Sequence, residues 1–380
     1  MSNRIVVSEI DSSFDGCISA RVRYGDTDDT IWFQLPVSHR PHPDLVASAI
    51  VAVFGSTFNE WEYRGPISSA TLRHLESFTG ADWDVPLYSL DPRTPGSDTV
   101  LNFSGGFDSL AALALLGDDN PKISIDFGSR FERERKFFSK FDTAIVSTNA
   151  RDFEKSWTFM GVGAILLADY FNAGYLSFGS ILEASPWGMV AREKPKMGNP
   201  LFSSIGLRET NPLGGMTEFG TALIAARAFP DLIVESLSSL ADRHTEKYKR
   251  KFLLLQCVAE EADDAAVLTQ IATPTLKEPI EFGRYFAADF LAPGMWTHCS
   301  GEDWMRRPGG FESWAMGKNF DFYWREIPGL DPHPVLSVEQ GIAARKSQLG
   351  IASYRSRDWD ELRSVLSVIS FFHYIPGKVW

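Results

Sequence analysis

Between Ile18 and Arg23 apolar and polar side chains alternate, with Ile18, Ala20 and Val22 set against Ser19, Arg21 and Arg23, which is the period of a half-buried strand. Similar patterns predict strands over 4–10, 16–24 and 30–37, joined across turn-rich segments at 11–16 and 25–29 that close as hairpins. The run Asp44–Phe54, behind Pro43, predicts a short apolar helix; a second helix is expected near 67–78. The stretch Asp91-Pro-Arg-Thr-Pro-Gly-Ser97 reads as a linker, so residues 1–90 are expected to form a small α+β accessory domain.

From Thr99 the pattern becomes strand, loop, helix, repeated. Strands are expected at 100–103, 123–127, 144–147 and 175–178, each beside a helical segment. This alternation predicts an α/β fold with a doubly wound parallel sheet over 97–256, whose ligand lies beyond the carboxyl ends of the strands. Residues 257–380 read as a mainly helical extension rich in aromatic side chains, among them Phe290, Trp296, Trp304, Phe320, Tyr323 and Trp324. Such rings bury large areas in a core or an interface, and they can also line a pocket for a planar substrate. Helices over 337–349 and 358–372 close the chain, and the stripe Leu362, Val365, Leu366, Ile369 and Phe372 suits either internal packing or a homodimer seam.

The segment Ser104-Gly-Gly-Phe-Asp-Ser109 lies where the first parallel strand hands over to a helix. Unpaired N–H groups at a helix start attract anions, and Gly105 and Gly106 allow the backbone to approach one closely. Ser104 and Ser109 add hydroxyls, and Asp108 is a carboxylate able to take Mg²⁺ beside a phosphate. The spacing is neither that of the Lys-containing phosphate loop nor that of the dinucleotide fingerprint. It is S-G-G-x-D-S, and in this the chain resembles the PP-loop ATP pyrophosphatases. That resemblance implies a PP-loop fold in which ATP and Mg²⁺ bind at Ser104, Gly105, Gly106, Phe107, Asp108 and Ser109.

Within that superfamily, Ile125-Asp-Phe-Gly-Ser-Arg-Phe-Glu-Arg-Glu134 is similar to a segment of the 7-cyano-7-deazaguanine synthases, as are Thr158–Leu166 and Tyr175–Gly179. The likeness covers about residues 97–256. It implies nucleotide contacts at Asp126, Phe127 and Gly179. Asp108, Ser109, Arg130 and Lys194 are expected to be catalytic, Arg130 by pairing with a phosphate or a substrate carboxylate and Lys194, with Glu183 beside it, on the acceptor side; Lys247 from the run Lys247, Lys249, Arg250, Lys251 is expected over pyrophosphate. Two departures qualify it. Gly161-Val-Gly-Ala164 stands where the family carries Pro-Gly-Arg-Asn, and no cysteine precedes Cys257 in the region that holds its four zinc-binding cysteines, so no zinc is expected.

A net charge of −12 argues against a general nucleic-acid surface, since phosphate neutralisation needs clustered Lys and Arg. Cys17, Cys257 and Cys299 are widely spaced, which gives no disulfide framework and fits a reducing cytoplasm. The chain shows no apolar run of membrane-spanning length. The expected activity is an AMP-forming C–N ligase that adenylates a small carboxylic acid or amide and then admits ammonia or an amine. Thiolation of the adenylate is one alternative, and a non-catalytic ATP- or AMP-binding protein of regulation or defence is another.

Overall fold

The computed structural model describes residues 3–86, 88–128, 131–189, 198–261, 271–275, 278–299, 304–330 and 332–375. Arg130 and Lys194 lie outside them. The main sheet has ten strands: β1 (Arg4–Ser12), β2 (Cys17–Tyr24), β3 (Thr27–Gln34), β4 (Glu60–Tyr63), β5 (Asp82–Asp84), β6 (Asp98–Asn102), β7 (Lys122–Asp126), β8 (Thr143–Thr148), β9 (Ala173–Ser177) and β10 (Arg208–Thr210). Their order is β10-β9-β6-β7-β8-β3-β2-β1-β4-β5. From β10 to β8 all pairs are parallel; β8-β3, β3-β2 and β2-β1 are antiparallel; β1-β4 and β4-β5 are parallel again. The protein is therefore α/β with a large, mostly parallel sheet, compatible with double winding.

Thirteen helices accompany it among the described residues: α1 (Pro43–Phe54), α2 (Ser69–Thr79), α3 (Phe107–Leu116), α4 (Glu132–Phe138), α5 (Val162–Leu166), α6 (Pro200–Ser204), α7 (Glu218–Ala228), α8 (Ile233–Leu240), α9 (Glu246–Glu261), α10 (Phe286–His298), α11 (Phe311–Ala315), α12 (Leu336–Gln348) and α13 (Ser356–Ile369). Two compact units result. The first comprises Met1–Ser104, Asp118–Phe178 and Met197–Thr210, and the second Gly105–Gly117, Gly179–Lys196 and Asn211–Trp380.

The first unit holds the whole ten-stranded sheet. Helix α1 is buried from Asp44 to Phe54, as its all-round apolar sequence requires, and is capped by His42, whose Nδ1 accepts from the Asp44 N–H at 3.2 Å. These unit boundaries differ from the sequence boundaries near 90 and 256. Phe33 pairs with Thr148 and Gln34 with Ser147, so the N-terminal hairpins join the parallel strands in one sheet. The expected linker at 91–97 is pinned by Arg93. Its guanidinium donates to Asp169 Oδ1 at 2.7 Å, to the Ile205 carbonyl at 2.6 Å and to the Ala173 carbonyl at 2.7 Å.

The second unit is helical. Helix α3 packs against α7, α8 and α12, while α9 packs against α7, α8 and α10. The aromatic residues form its core, with Phe219, Phe290, Phe320, Phe322 and Tyr323 fully buried. Leu362, Val365, Leu366 and Ile369 are buried within this unit, where α13 packs on α10, and Phe372 remains half exposed. One expectation is corrected: Cys257 and Cys299, separated by 42 residues, are disulfide-bonded, with Cα atoms 4.8 Å apart. Sequence spacing carried no sign of this, because the packing of α9 on α10 places the pair. No helix among the described residues is long and apolar enough to cross a membrane.

Candidate functional site

Among the parallel strands the spatial order reverses between β6 and β9, since β6 is flanked by β7 on one side and by β9 on the other. Such a reversal marks the ligand crevice of open α/β sheets. Strand β6 ends at Asn102, and the next residues carry the chain into α3, crossing from the first unit to the second after Ser104. Gly105 has φ +79°, a conformation that disfavours side chains with a Cβ. The Ser236 hydroxyl holds its carbonyl at 2.7 Å. Gly106 is the N-cap of α3 and, lacking a side chain, provides no side-chain cap. Ten residues long, α3 begins with Phe107, whose ring is buried, and Asp108, which is half-buried. The Ser109 hydroxyl turns back to the Gly106 carbonyl at 3.0 Å.

Gly179 lies against this turn. A Cβ on it would stand 2.8 Å from the Asp108 carbonyl and 3.0 Å from the Ser109 nitrogen, so only glycine lets the two backbones approach this closely.

Asp108 is the centre of a charge network built by α3, α7 and α9. Its Oδ1 accepts from the Thr221 hydroxyl at 2.6 Å, and its Oδ2 pairs with Lys251 Nζ at 3.3 Å. Lys251 is only 3% exposed; its ammonium also lies 3.4 Å from Glu218 Oε1 and 5.2 Å from the centroid of the Phe107 ring. Glu218 is bonded further to Arg250, which pairs with Glu246 at 2.7 Å. Burial acts to raise the Glu218 carboxyl, but Lys251 and Arg250 outweigh it and hold the group below its ordinary value. Desolvation, then the positive charge of Lys251, lowers the Lys247 ammonium, although its side chain retains exposure to water.

Glu183 completes the cluster. It sits in the short turn Leu182–Ala184, 1% exposed, and its Oε1 accepts from the Glu218 backbone N–H at 2.6 Å. Its Oε2 has no hydrogen-bond partner. Burial, with the neighbouring Glu218 charge second, pushes its carboxyl up to about 8.

The second unit thus gathers Gly105, Gly106, Phe107, Asp108, Ser109, Gly179, Glu183 and Lys247. Ser104, Asp126 and Phe127 belong to the first unit. There Asp126 is buried and already engaged: it accepts from the Gly128 N–H at 2.9 Å and pairs with Arg135 at 3.1 Å. Phe127 rests on Phe131 and Phe159, with ring centroids 5.4 Å apart in each case. The departing segment Val162–Ala164 is wholly buried, and a Cβ on Gly163 would come within 3.0 Å of Ile123, so core packing explains the small apolar residues there. Sequence reasoning missed Glu218 and Thr221. It also missed Ser177 and Thr210, register partners at the carboxyl ends of β9 and β10 whose buried hydroxyls have no partner. It favoured Lys247 over Lys251. The signal for Lys251 was present, because it lies three and four residues before Leu254 and Leu255 and so shares their buried helix face.

Chemically, the α3 start with adjacent lysines suits a polyanion. Asp108 as a single carboxylate fits a Mg²⁺ ion held mainly by phosphate oxygens. Comparison with protein-family models gave no match, and neither did comparison with curated proteins or with solved structures.

Proposed function

We propose that the protein is an AMP-forming ligase of the PP-loop ATP pyrophosphatase type, acting on a small carboxylic acid or amide. The observation that carries this reading is the Lys251–Asp108 pair, which draws a buried lysine from 143 residues away to the first turn of α3. Loop N–H groups and Lys251 would hold the β and γ phosphates of ATP, with Lys247 at the more exposed edge. An oxygen of the substrate attacks the α phosphorus, the bond to the bridging oxygen breaks, and pyrophosphate leaves with the electron pair. Ammonia or an amine then attacks the adenylated carbon; the C–N bond forms, the nitrogen loses a proton and AMP departs. Adenylation of this kind relies on neutralising the leaving pyrophosphate, which is the work a preorganised cation and backbone donors do well.

Incubation of the protein with ATP, Mg²⁺, a panel of carboxylic acids and hydroxylamine should yield AMP, pyrophosphate and a hydroxamate. ADP and phosphate as the only nucleotide products would overturn the reading. A second reading, nucleotide binding without turnover, is favoured by the engagement of both Asp108 oxygens by Thr221 and Lys251. Under it, ATP would bind and be recovered intact, and Asp108→Asn would bind it as the parent does. Thiolation gains no comparable support, since Cys257 and Cys299 are paired with each other.

A further inference from the structure

Beside the direct Lys251–Asp108 pair, the first turn of α7 touches both partners, Lys251 through Glu218 and Asp108 through Thr221. Thr217 caps the helix by accepting from the Phe219 N–H at 3.2 Å, and Glu183 accepts from the Glu218 N–H at 2.6 Å, so two side chains satisfy the turn. From that same turn Glu218 holds Lys251 and Arg250, and Thr221 donates to Asp108. The residue whose N–H the Glu183 carboxyl accepts thus carries a buried carboxyl of its own. Both cations go to Glu218, and among the described residues none forms an ion pair with Glu183.

We propose that Glu183, buried and with no cation paired to it among the described residues, is the positioning residue of this site: it fixes the first turn of α7 and leaves Lys251 to bridge Glu218 and Asp108. The inference rests on the ligase reading for its functional consequence, though not for the state of the acid itself. Burial and then the Glu218 charge disfavour the ionised form of Glu183, with Asp108 adding to them. The other ionisable groups around it do not offset this. Buried Tyr323 and Tyr354 are both pushed well above the usual tyrosine value, first by burial and then by Glu183, and so stay neutral. Helix α10, packed on the Glu183 turn, carries Asp289, raised by burial, and His298, lowered by burial. Ionisation of Glu183 puts a second negative charge beside Glu218. Arg250 is already committed to Glu218 and Glu246, so Lys251 is the cation drawn away from Asp108.

Infrared difference spectroscopy on the ligand-free protein between about pH 6 and about pH 9.5 tests the protonation state, against an ordinary glutamate value of ~4.3. A carboxylic-acid C=O band should persist at neutral pH, disappear with a midpoint near 8, and be missing from Glu183→Gln. A spectrum with no such band, or a band unchanged in Glu183→Gln, would overturn the proposal. Should that variant fail to fold, Glu218→Gln replaces it: removal of the like charge should lower the midpoint, and an unmoved midpoint counts against the proposal. The second readout is AMP formation against pH. The parent should lose about tenfold in rate per pH unit above the midpoint, the limit for one ionising group, and Glu183→Gln should lose that decline. Equal pH profiles would leave Glu183 a purely structural cap and overturn the positioning role. If the parent makes no AMP at all, the ligase reading fails while the infrared titration still decides the acid.

Discussion

The buried cations Arg93, in the first unit, and Lys251 and Arg250, in the second, differ in how they are satisfied. Arg93 spends its guanidinium on two main-chain carbonyls and on Asp169, whose side chain keeps 29% exposure. Each donor it uses has one acceptor, and the carboxylate can still reach water. Lys251 and Arg250 instead share Glu218 between them, with Lys251 also reaching Asp108 and with an unpartnered carboxyl oxygen on nearby Glu183. The first arrangement has a single low-energy state and pins a strap of chain. The second has more carboxyls than cations, so its contacts can be redistributed by a proton or an anion, and that is the character expected of a working site.

The sharpest way to break the comparison is Arg250→Met. Glu218 would be left buried with only Lys251, and unfolding in urea should show a loss of about 3–5 kcal/mol; a loss near zero would mean that the network is not coupled to the fold. Next in size is Asp108→Asn, which should slow AMP formation by roughly 10²–10³-fold, as removal of one preorganised electrostatic group does. Its urea midpoint should stay close to the parent's, because Asp108 is only half-buried. Arg93→Met should cost on the order of 1–3 kcal/mol for the carbonyls it abandons. AMP formation and its pH profile should be unchanged there, and a shifted profile would erase the distinction between the two arrangements.

The most gradual effect, spread over several pH units, is the pH dependence of stability. A folded-state Glu183 value raised to about 8 means that the native chain binds more protons than the unfolded one between the ordinary glutamate range and pH 8. The contribution is fully present below that range and is lost as pH rises through it, with a slope of up to about 1.4 kcal/mol per pH unit. Subtracting the curve for Glu183→Gln from that of the parent isolates it, and a flat difference would remove Glu183 from the second group.

Much of the fold is legible in the chain. The alternation at 18–23, the apolar run 44–54 and the strands before 104, 128 and 149 are local signals, and the structure places them within a few residues of expectation. Strands β5 and β10, three residues each, carry too little pattern to be read. The linker at 91–97 misleads, because proline and glycine report local backbone geometry and cannot report that Arg93 anchors the segment. At the site, the Gly-Gly turn and the acidic residue after it are legible because backbone conformation and helix initiation depend on neighbours in sequence.

Legible from the chain alone, then, are a strand, a glycine turn and a helix start around 104–109, with a basic run at 247–251 ahead of an apolar segment. Helix packing settled which lysine meets Asp108, that Glu183 accepts from the Glu218 N–H, and that Cys257 bonds to Cys299. These pairs are separated by 143, 35 and 42 residues. Helical periodicity can tell which face of a segment is buried, whereas the identity of the group across the interface follows only from how the helices pack.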